Sequence, residues 1–131
     1  MTLNVTDTTG NAAVTTFTKA VSITGNLNIN PTDDETAEVT FDQAVTAAAI
    51  VLGDSTDAAD DATTVVFEAQ TAAHTITGTI NNAVAADETA IHITDATNAA
   101  ADIITFANDI GNLVPIDAIS IGSATLGGSA V

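Results

Sequence analysis

The chain has 131 residues, of which 46% are hydrophobic but only 3% aromatic, and it has no Trp, Tyr or Cys. Because the chain has so few bulky side chains, a wide globular core is excluded and a narrow interior lined by small and β-branched residues is favoured. A single Lys, no Arg and 17 acidic residues give a formal net charge of −16 at pH 7, which excludes nucleic acid as a partner and disfavours an anionic membrane surface.

A recurring segment of eight residues predicts a repeated β-strand. It combines β-branched residues with a Phe at its fourth position, and its copies contain all four phenylalanines of the chain. The copies are residues 14–21, 38–45, 64–71 and 103–110. Because a fixed repeat means that one structural unit stacks on copies of itself, the pattern predicts a solenoid. The pairs that follow the Phe, Thr18-Lys19, Asp42-Gln43 and Ala107-Asn108, predict a corner at that point.

A second apolar strand is predicted about ten residues after each Phe. Its copies are residues 27–29, 50–52, 76–80 and 116–121, and residues 3–7 and 91–95 are two further copies without a preceding Phe. The starts of these strands lie 24, 23, 26, 15 and 25 residues apart, so one coil is short. We expect residues 76–90 to form this irregular coil and to interrupt the column of Phe side chains.

Together these strands predict an all-β fold, a parallel β-helix or β-solenoid of about five coils with rungs of about 24 residues. Each coil lies about 4.8 Å above the last, so that equivalent residues stack in columns. One interior column is predicted to hold Phe17, Phe41, Phe67 and Phe106. We expect residues 1–131 to form a single solenoid domain or an excerpt of a longer repeat array. The alternative is a β-sandwich, although the Asn-Gly and Asp-Gly turns typical of its hairpins are absent from the sequence.

Clusters of acidic residues in the turns between strands suggest a binding site for calcium. Calcium accepts six to eight oxygen ligands, which carboxylates and turn carbonyls supply. The candidate ligands are Asp33, Asp34, Asp54, Asp57, Asp60 and Asp61. No calcium-binding motif is complete in the sequence, so solvated acidic turns without metal are the alternative interpretation.

No pattern in the sequence predicts an enzyme. The two imidazoles, His74 and His92, have no cysteine or second histidine at metal-ligand spacing, and we expect both to be surface residues. No serine lies in a G-x-S-x-G segment. Apolar runs fall well short of the roughly 20 residues that a membrane-spanning helix needs, so we expect no direct insertion into a membrane.

The alternation of V-T-F-x-x-x-V and I-x-I segments, with Asp-rich turns and almost no basic residues, resembles the β-strand-repeat proteins of bacterial surfaces. These include S-layer-like proteins and autotransporter passengers. The most similar segments are residues 38–53, 75–94 and 104–122. The resemblance implies a secreted, extracellular protein of the bacterial cell surface with a structural or adhesive role. It supplies no catalytic residues.

The ends of the sequence bear on this expected role. From their sequence we expect the last residues to form neither a capping helix nor a charged final strand, and open solenoid ends pair readily with other strand edges. We therefore expect either a longer array or self-assembly, head-to-tail or lateral, into an S-layer, filament or adhesin, with other copies of the chain as partners. The alternative function is a module that binds a carbohydrate or a host surface.

Overall fold

A computed structural model describes residues 1–5, 13–30, 36–53, 62–69, 72–85, 88–95 and 103–122. Within these segments the secondary structure is β-strand, with no helix. The strands are β1 (Leu3–Val5), β2 (Ala13–Phe17), β3 (Val21–Ser22), β4 (Leu27–Ile29), β5 (Thr36–Phe41), β6 (Val45–Leu52), β7 (Ala62–Ala69), β8 (His74–Asn82), β9 (Glu88–Asp95), β10 (Ile104–Phe106) and β11 (Ala118–Ile121).

The strands form two parallel sheets. A six-stranded sheet has the order β1-β4-β6-β8-β10, with β3 also paired with β6, and a five-stranded sheet has the order β2-β5-β7-β9-β11. Every pair between these strands is parallel. Because the chain passes from one sheet to the other and returns one strand further along, the fold is a β-solenoid. The predicted all-β parallel β-helix is confirmed, and the antiparallel pairing that a β-sandwich requires does not occur between these strands.

The stacking defines the number and length of the turns. About three turns, from β4 to β9, have a neighbouring turn on both sides. The predicted five coils are somewhat more than this. In the five-stranded sheet Phe17, Phe41, Phe67, Ile93 and Ile121 align in one column, so the steps between them are 24, 26, 26 and 28 residues. The rungs are therefore close to the predicted length at first and become longer along the chain.

The six-stranded sheet bends along a line that crosses its strands. In the first turns β3 and β4 are separate strands, and both pair with β6. Opposite the gap between β3 and β4, the register of β6 against β8 shifts between Thr46 and Ala49. In β8 the bend falls at Gly78, which has a φ of 120°. The two short strands β3 and β4 of the first turns thus correspond to the single long strands β6 and β8 of the later turns.

The core consists of side chains that point inward from both sheets at every second position. In β7, Val65 and Phe67 are fully buried, while Val66 between them is only half-buried. Ile50 and Ile80 are fully buried in the opposite sheet. Burying one such side chain stabilises the fold by about 1.5–3 kcal/mol, so the core columns hold successive turns together.

The predicted corners after Phe are confirmed in the first two turns. β2 ends at Phe17 and β3 begins at Val21, while β5 ends at Phe41 and β6 begins at Val45. The polar residues between them leave the strand direction, which allows the chain to cross to the other sheet. The rings of the first three phenylalanines stack, with centroids 5.1 Å apart for Phe17 and Phe41 and 5.8 Å apart for Phe41 and Phe67.

The predicted position of the fourth phenylalanine is wrong. Phe106 lies in the six-stranded sheet, where it pairs with Ile76, and Ile93 occupies the position after Phe67 in the Phe column. Phe106 meets Phe67 across the core, edge to face, with ring centroids 5.4 Å apart. The Phe column does end at Phe67, but residues 76–90 are not a short coil, because β8 and the start of β9 extend through both sheets.

The predicted equivalence of residues 3–7 and 91–95 is also wrong. Leu3 belongs to the six-stranded sheet, where it pairs with Leu27. Ile91 belongs to the five-stranded sheet, where it pairs with Val65 and Ile119. The two segments share an I-x-I or L-x-V pattern because strands of both sheets bury alternate residues, so this pattern does not distinguish the sheets.

Candidate functional site

The six predicted calcium ligands lie outside the described residues. They are Asp33, Asp34, Asp54, Asp57, Asp60 and Asp61. Among the residues that the structure describes, no group of three or more His, Cys, Asp or Glu side chains is arranged to hold a metal ion. The calcium site therefore stays a prediction.

The acidic segments are flanked by paired strands of the two sheets. Residues 31–35 connect β4 to β5, and residues 54–61 connect β6 to β7. At one end of these connections Ile29 pairs with Leu52, and at the other end Thr36 pairs with Ala62. The strand ends that flank the two acidic segments therefore lie at adjacent positions, along the edge where the six-stranded sheet leads into the five-stranded sheet.

In the last turn, the two described acidic residues accept hydrogen bonds within the fold. The Asp117 Oδ2 atom accepts hydrogen bonds from the backbone N–H of Thr89 at 2.9 Å and from its hydroxyl at 3.0 Å. Asp109 Oδ2 accepts a hydrogen bond from Asn112 Nδ2 at 3.2 Å. Asp117 is therefore a structural residue that joins the last turn to the preceding one at the start of β11.

Side-chain amides also connect successive turns. Asn28 Nδ2 donates to Asn4 Oδ1 at 2.9 Å on the surface of the six-stranded sheet. At the bend, the N–H of Gly78 donates to Asn108 Oδ1 at 3.1 Å, and so the amide replaces a backbone acceptor where the ladder is interrupted. The sequence predicted Ala107-Asn108 only as a corner. The hydrogen bond shows that Asn108 also compensates for the irregular backbone of the neighbouring turn.

The two histidines differ in their environments. His92 is exposed on the outer face of β9, between Val66 and Ser120 of the adjacent strands, as predicted. The prediction of a surface residue is wrong for His74, which is only 7% exposed. Its position in the strand explains the burial, because residues two apart face the same side and Ile76 is inward-facing in β8. Among the described residues, its Nε2 atom has no hydrogen-bond partner.

The ends of the stack expose side chains that the inner turns bury. In the described part of the chain, β11 has a neighbouring strand on one side only, and so does β2 at the other end of the same sheet. Ile119 and Ile121 of β11 are 50% and 49% exposed, whereas Ile91, at the position of Ile119 in the preceding strand, is fully buried. Phe17 in β2 is half-buried. Both end strands of this sheet therefore expose core-type side chains.

Comparison with protein-family models, with curated proteins and with solved structures finds no match. The class of protein is therefore defined by the fold, a parallel β-solenoid. In the described segments no helix has the length and the apolar character needed to cross a membrane.

Proposed function

We propose that the chain is a non-enzymatic structural protein of a bacterial cell surface, secreted and self-assembling as a building block of an S-layer, filament or adhesin. The observation that carries this proposal is the exposure of core-type residues on the end strand β11. Ile119 and Ile121 are about half exposed there, although they point toward the interior of the solenoid. Counting the first and last turns, which have one neighbour each, the unit has about five coils.

The shape of the molecule supports a structural role. A solenoid contacts its neighbours mainly along one axis, so a further turn extends it without rearranging the turns already present. Exposed strand edges are the usual templates for pairing with other chains. The strongly acidic composition keeps such a protein soluble and opposes unspecific association, because copies of like charge repel each other.

The assembly is tested by sedimentation velocity and electron microscopy of the purified chain over a range of protein concentrations, with and without calcium. We expect ordered polymers that grow with concentration. A monodisperse monomer under all of these conditions contradicts the proposed function. If that monomer also binds to a glycan array, the alternative function of a carbohydrate- or host-surface-binding module is supported instead.

We further propose that calcium stabilises the acidic edge through Asp33 and Asp34 in one connection and Asp54, Asp57, Asp60 and Asp61 in the next. Two carboxylates about 5 Å apart repel each other by ~0.8 kcal/mol in water, and by more where water is scarce. A cation bound between them removes this repulsion. At a calcium concentration tenfold above the dissociation constant, one site adds about 1.4 kcal/mol of stability.

The calcium proposal is tested by the melting temperature in chelator, in calcium, and in sodium chloride of equal ionic strength. We expect calcium to raise the melting temperature more than sodium chloride does. Replacing Asp54, Asp57, Asp60 and Asp61 together with Asn should abolish the difference between the two salts. A matched control is Glu38→Gln, which removes one exposed carboxylate from the outer face of β5. Equal melting temperatures in calcium and in sodium chloride contradict the proposal.

A further inference from the structure

We propose that β11 of one copy binds β2 of a second copy as the next parallel strand of the five-stranded sheet, so that copies join head-to-tail. The tail is the surface formed by β11 and Ile110, and the head is the surface formed by β1 and β2. This inference rests on the proposed self-assembly and specifies which surfaces meet and in which register.

The first argument is that the head and the tail are the two ends of the same core columns. One column runs from Phe17 to Ile121, and a second runs from Thr15 through Val39 to Ile119. In the opposite sheet a column runs from Leu3 to Ile110. A second copy placed one strand spacing of about 4.8 Å beyond the tail continues these columns.

The second argument concerns burial. Within the stack, Val65 and Phe67 are fully buried because a neighbouring turn covers them on each side. Ile119 and Ile121, in the same two columns, are about half exposed. Docking Thr15 and Phe17 of a second copy would cover the two isoleucines as the inner turns cover one another. It would also place the open backbone groups of β11 opposite a strand that runs in the same direction.

The third argument is charge. Lys19, the only Lys or Arg of the chain, lies in the corner directly after β2 and therefore at the head. The last described turn contains two exposed acidic residues, Asp109 and Asp117, and no basic residue. Tail-to-tail contact would bring these carboxylates close to those of the second copy, whereas the proposed register places Asp117 opposite the uncharged Ala13. Avoidance of like charges thus favours the head-to-tail arrangement.

The proposed register predicts a specific disulfide crosslink. On the outer face of the five-stranded sheet, Thr16, Thr40, Val66, His92 and Ser120 form one column. Head-to-tail docking puts Thr16 of a second copy one strand spacing beyond Ser120, a separation within the range of Cα distances that disulfides span. Thr16 and Ser120 are exposed, and the chain has no cysteine of its own, so the engineered thiols are the only ones present.

The experiment mixes the Thr16→Cys and Ser120→Cys variants under mild oxidation, at a concentration where the wild type assembles. We expect a disulfide-linked heterodimer in most of the protein and little crosslinking of either variant alone. The matched control is Thr40→Cys mixed with Ser120→Cys, since Thr40 would lie two strand spacings away and beyond disulfide reach. Efficient crosslinking of Ser120→Cys to itself would show a tail-to-tail contact and overturn the inference.

A second pair of variants tests the buried contact. Ile121→Asp places a charge on the tail, and Ser120→Asp places the same charge on the outer face of the same strand. We expect Ile121→Asp to abolish assembly and Ser120→Asp to leave it close to that of the wild type, with circular dichroism confirming that both are folded. Equal assembly of the two variants overturns this inference but leaves self-assembly intact. A wild type that never assembles overturns the proposed function itself.

Discussion

Replacing Gly78 with Ala should strongly destabilise the solenoid, because two independent obstacles meet at this position. The φ of Gly78 is 120°, a backbone conformation that residues with a Cβ rarely adopt. A Cβ at this position would also lie 2.6 Å from the carbonyl oxygen of Ala47 in the neighbouring turn. That oxygen belongs to the backbone, so it cannot move away without distorting β6.

The size of the effect follows from these two terms. A strained backbone conformation alone costs about 1–3 kcal/mol, and forcing extra atoms into a packed interior adds about 1–3 kcal/mol. We therefore expect Gly78→Ala to lower the free energy of unfolding by about 2–6 kcal/mol. This is a large part of the 5–15 kcal/mol that stabilises a typical domain.

The assay is urea unfolding followed by far-UV circular dichroism, with the midpoint and the slope compared between variants. Gly111→Ala is the matched control. Gly111 also has a positive φ, of 67°, but the nearest atom to its Cβ would be Ile116 N at 3.3 Å. We expect this control to lose about 1–2 kcal/mol, the cost of the left-handed conformation alone. If Gly78→Ala proves no more destabilising than Gly111→Ala, the close approach of the two turns at the bend is not as described.

Three further substitutions, each paired with a control substitution, test the contacts between turns by the same unfolding assay. Phe67→Ala should lower the free energy of unfolding by about 3–5 kcal/mol because the ring is fully buried between two other rings. Phe17→Ala should lower it clearly less because its ring is half-buried at the end of the column. Equal losses would contradict this difference. Asp117→Ala should cost about 1–2 kcal/mol by removing the acceptor for two Thr89 donors, whereas Asp117→Asn, which keeps an acceptor oxygen, should cost less. Asn108→Ala should cost about 1 kcal/mol because the N–H of Gly78 loses its acceptor, and Asn112→Ala, whose amide contacts an exposed carboxylate, should have a smaller effect.

The solenoid architecture was predictable because its first turns are regular. From Phe17 to Val21 and from Phe41 to Val45 the chain uses the same number of residues to cross between sheets, so equivalent residues recur at nearly constant spacing. Strand parity then assigns the inward residues correctly. The low aromatic content also pointed to a narrow interior, in which side chains contact equivalent residues of the adjacent turns.

The register after Phe67 could not be obtained from spacing alone. Nine residues separate Phe67 from Ile76, and thirteen separate Ile93 from Phe106, although each pair spans the same kind of crossing. Lengthening a surface connection costs little, since the loop-closure entropy grows only with the logarithm of loop length. The columns of stacked side chains are therefore kept while the number of residues per turn changes. A prediction that assumes a constant period then places Phe106 in the wrong sheet.

The burial of His74 could have been predicted from the sequence. In the segment from His74 to Ile80, every second residue from Ile76 onward is inward, and extending this alternation back by two positions reaches the histidine. The interpretation as a surface residue relied on the chemistry of the side chain instead of its position in the strand. The contacts of Asn108 and Asp117 are different, because they depend on which turns are adjacent and so on the register itself.

The exposed end of the solenoid also has a sequence that resembles its interior. Ile119 and Ile121 flank Ser120 just as Ile91 and Ile93 flank His92, and the two strands pair residue for residue. Nothing in this pattern distinguishes a strand inside the stack from one at its end. The difference is in exposure, since Ile91 is fully buried and Ile119 is half exposed. An end strand that contacted only solvent on its open side would gain solubility from charged or polar side chains at its inward-facing positions. Its retention of core-type residues is the physical reason to expect a further strand upon it.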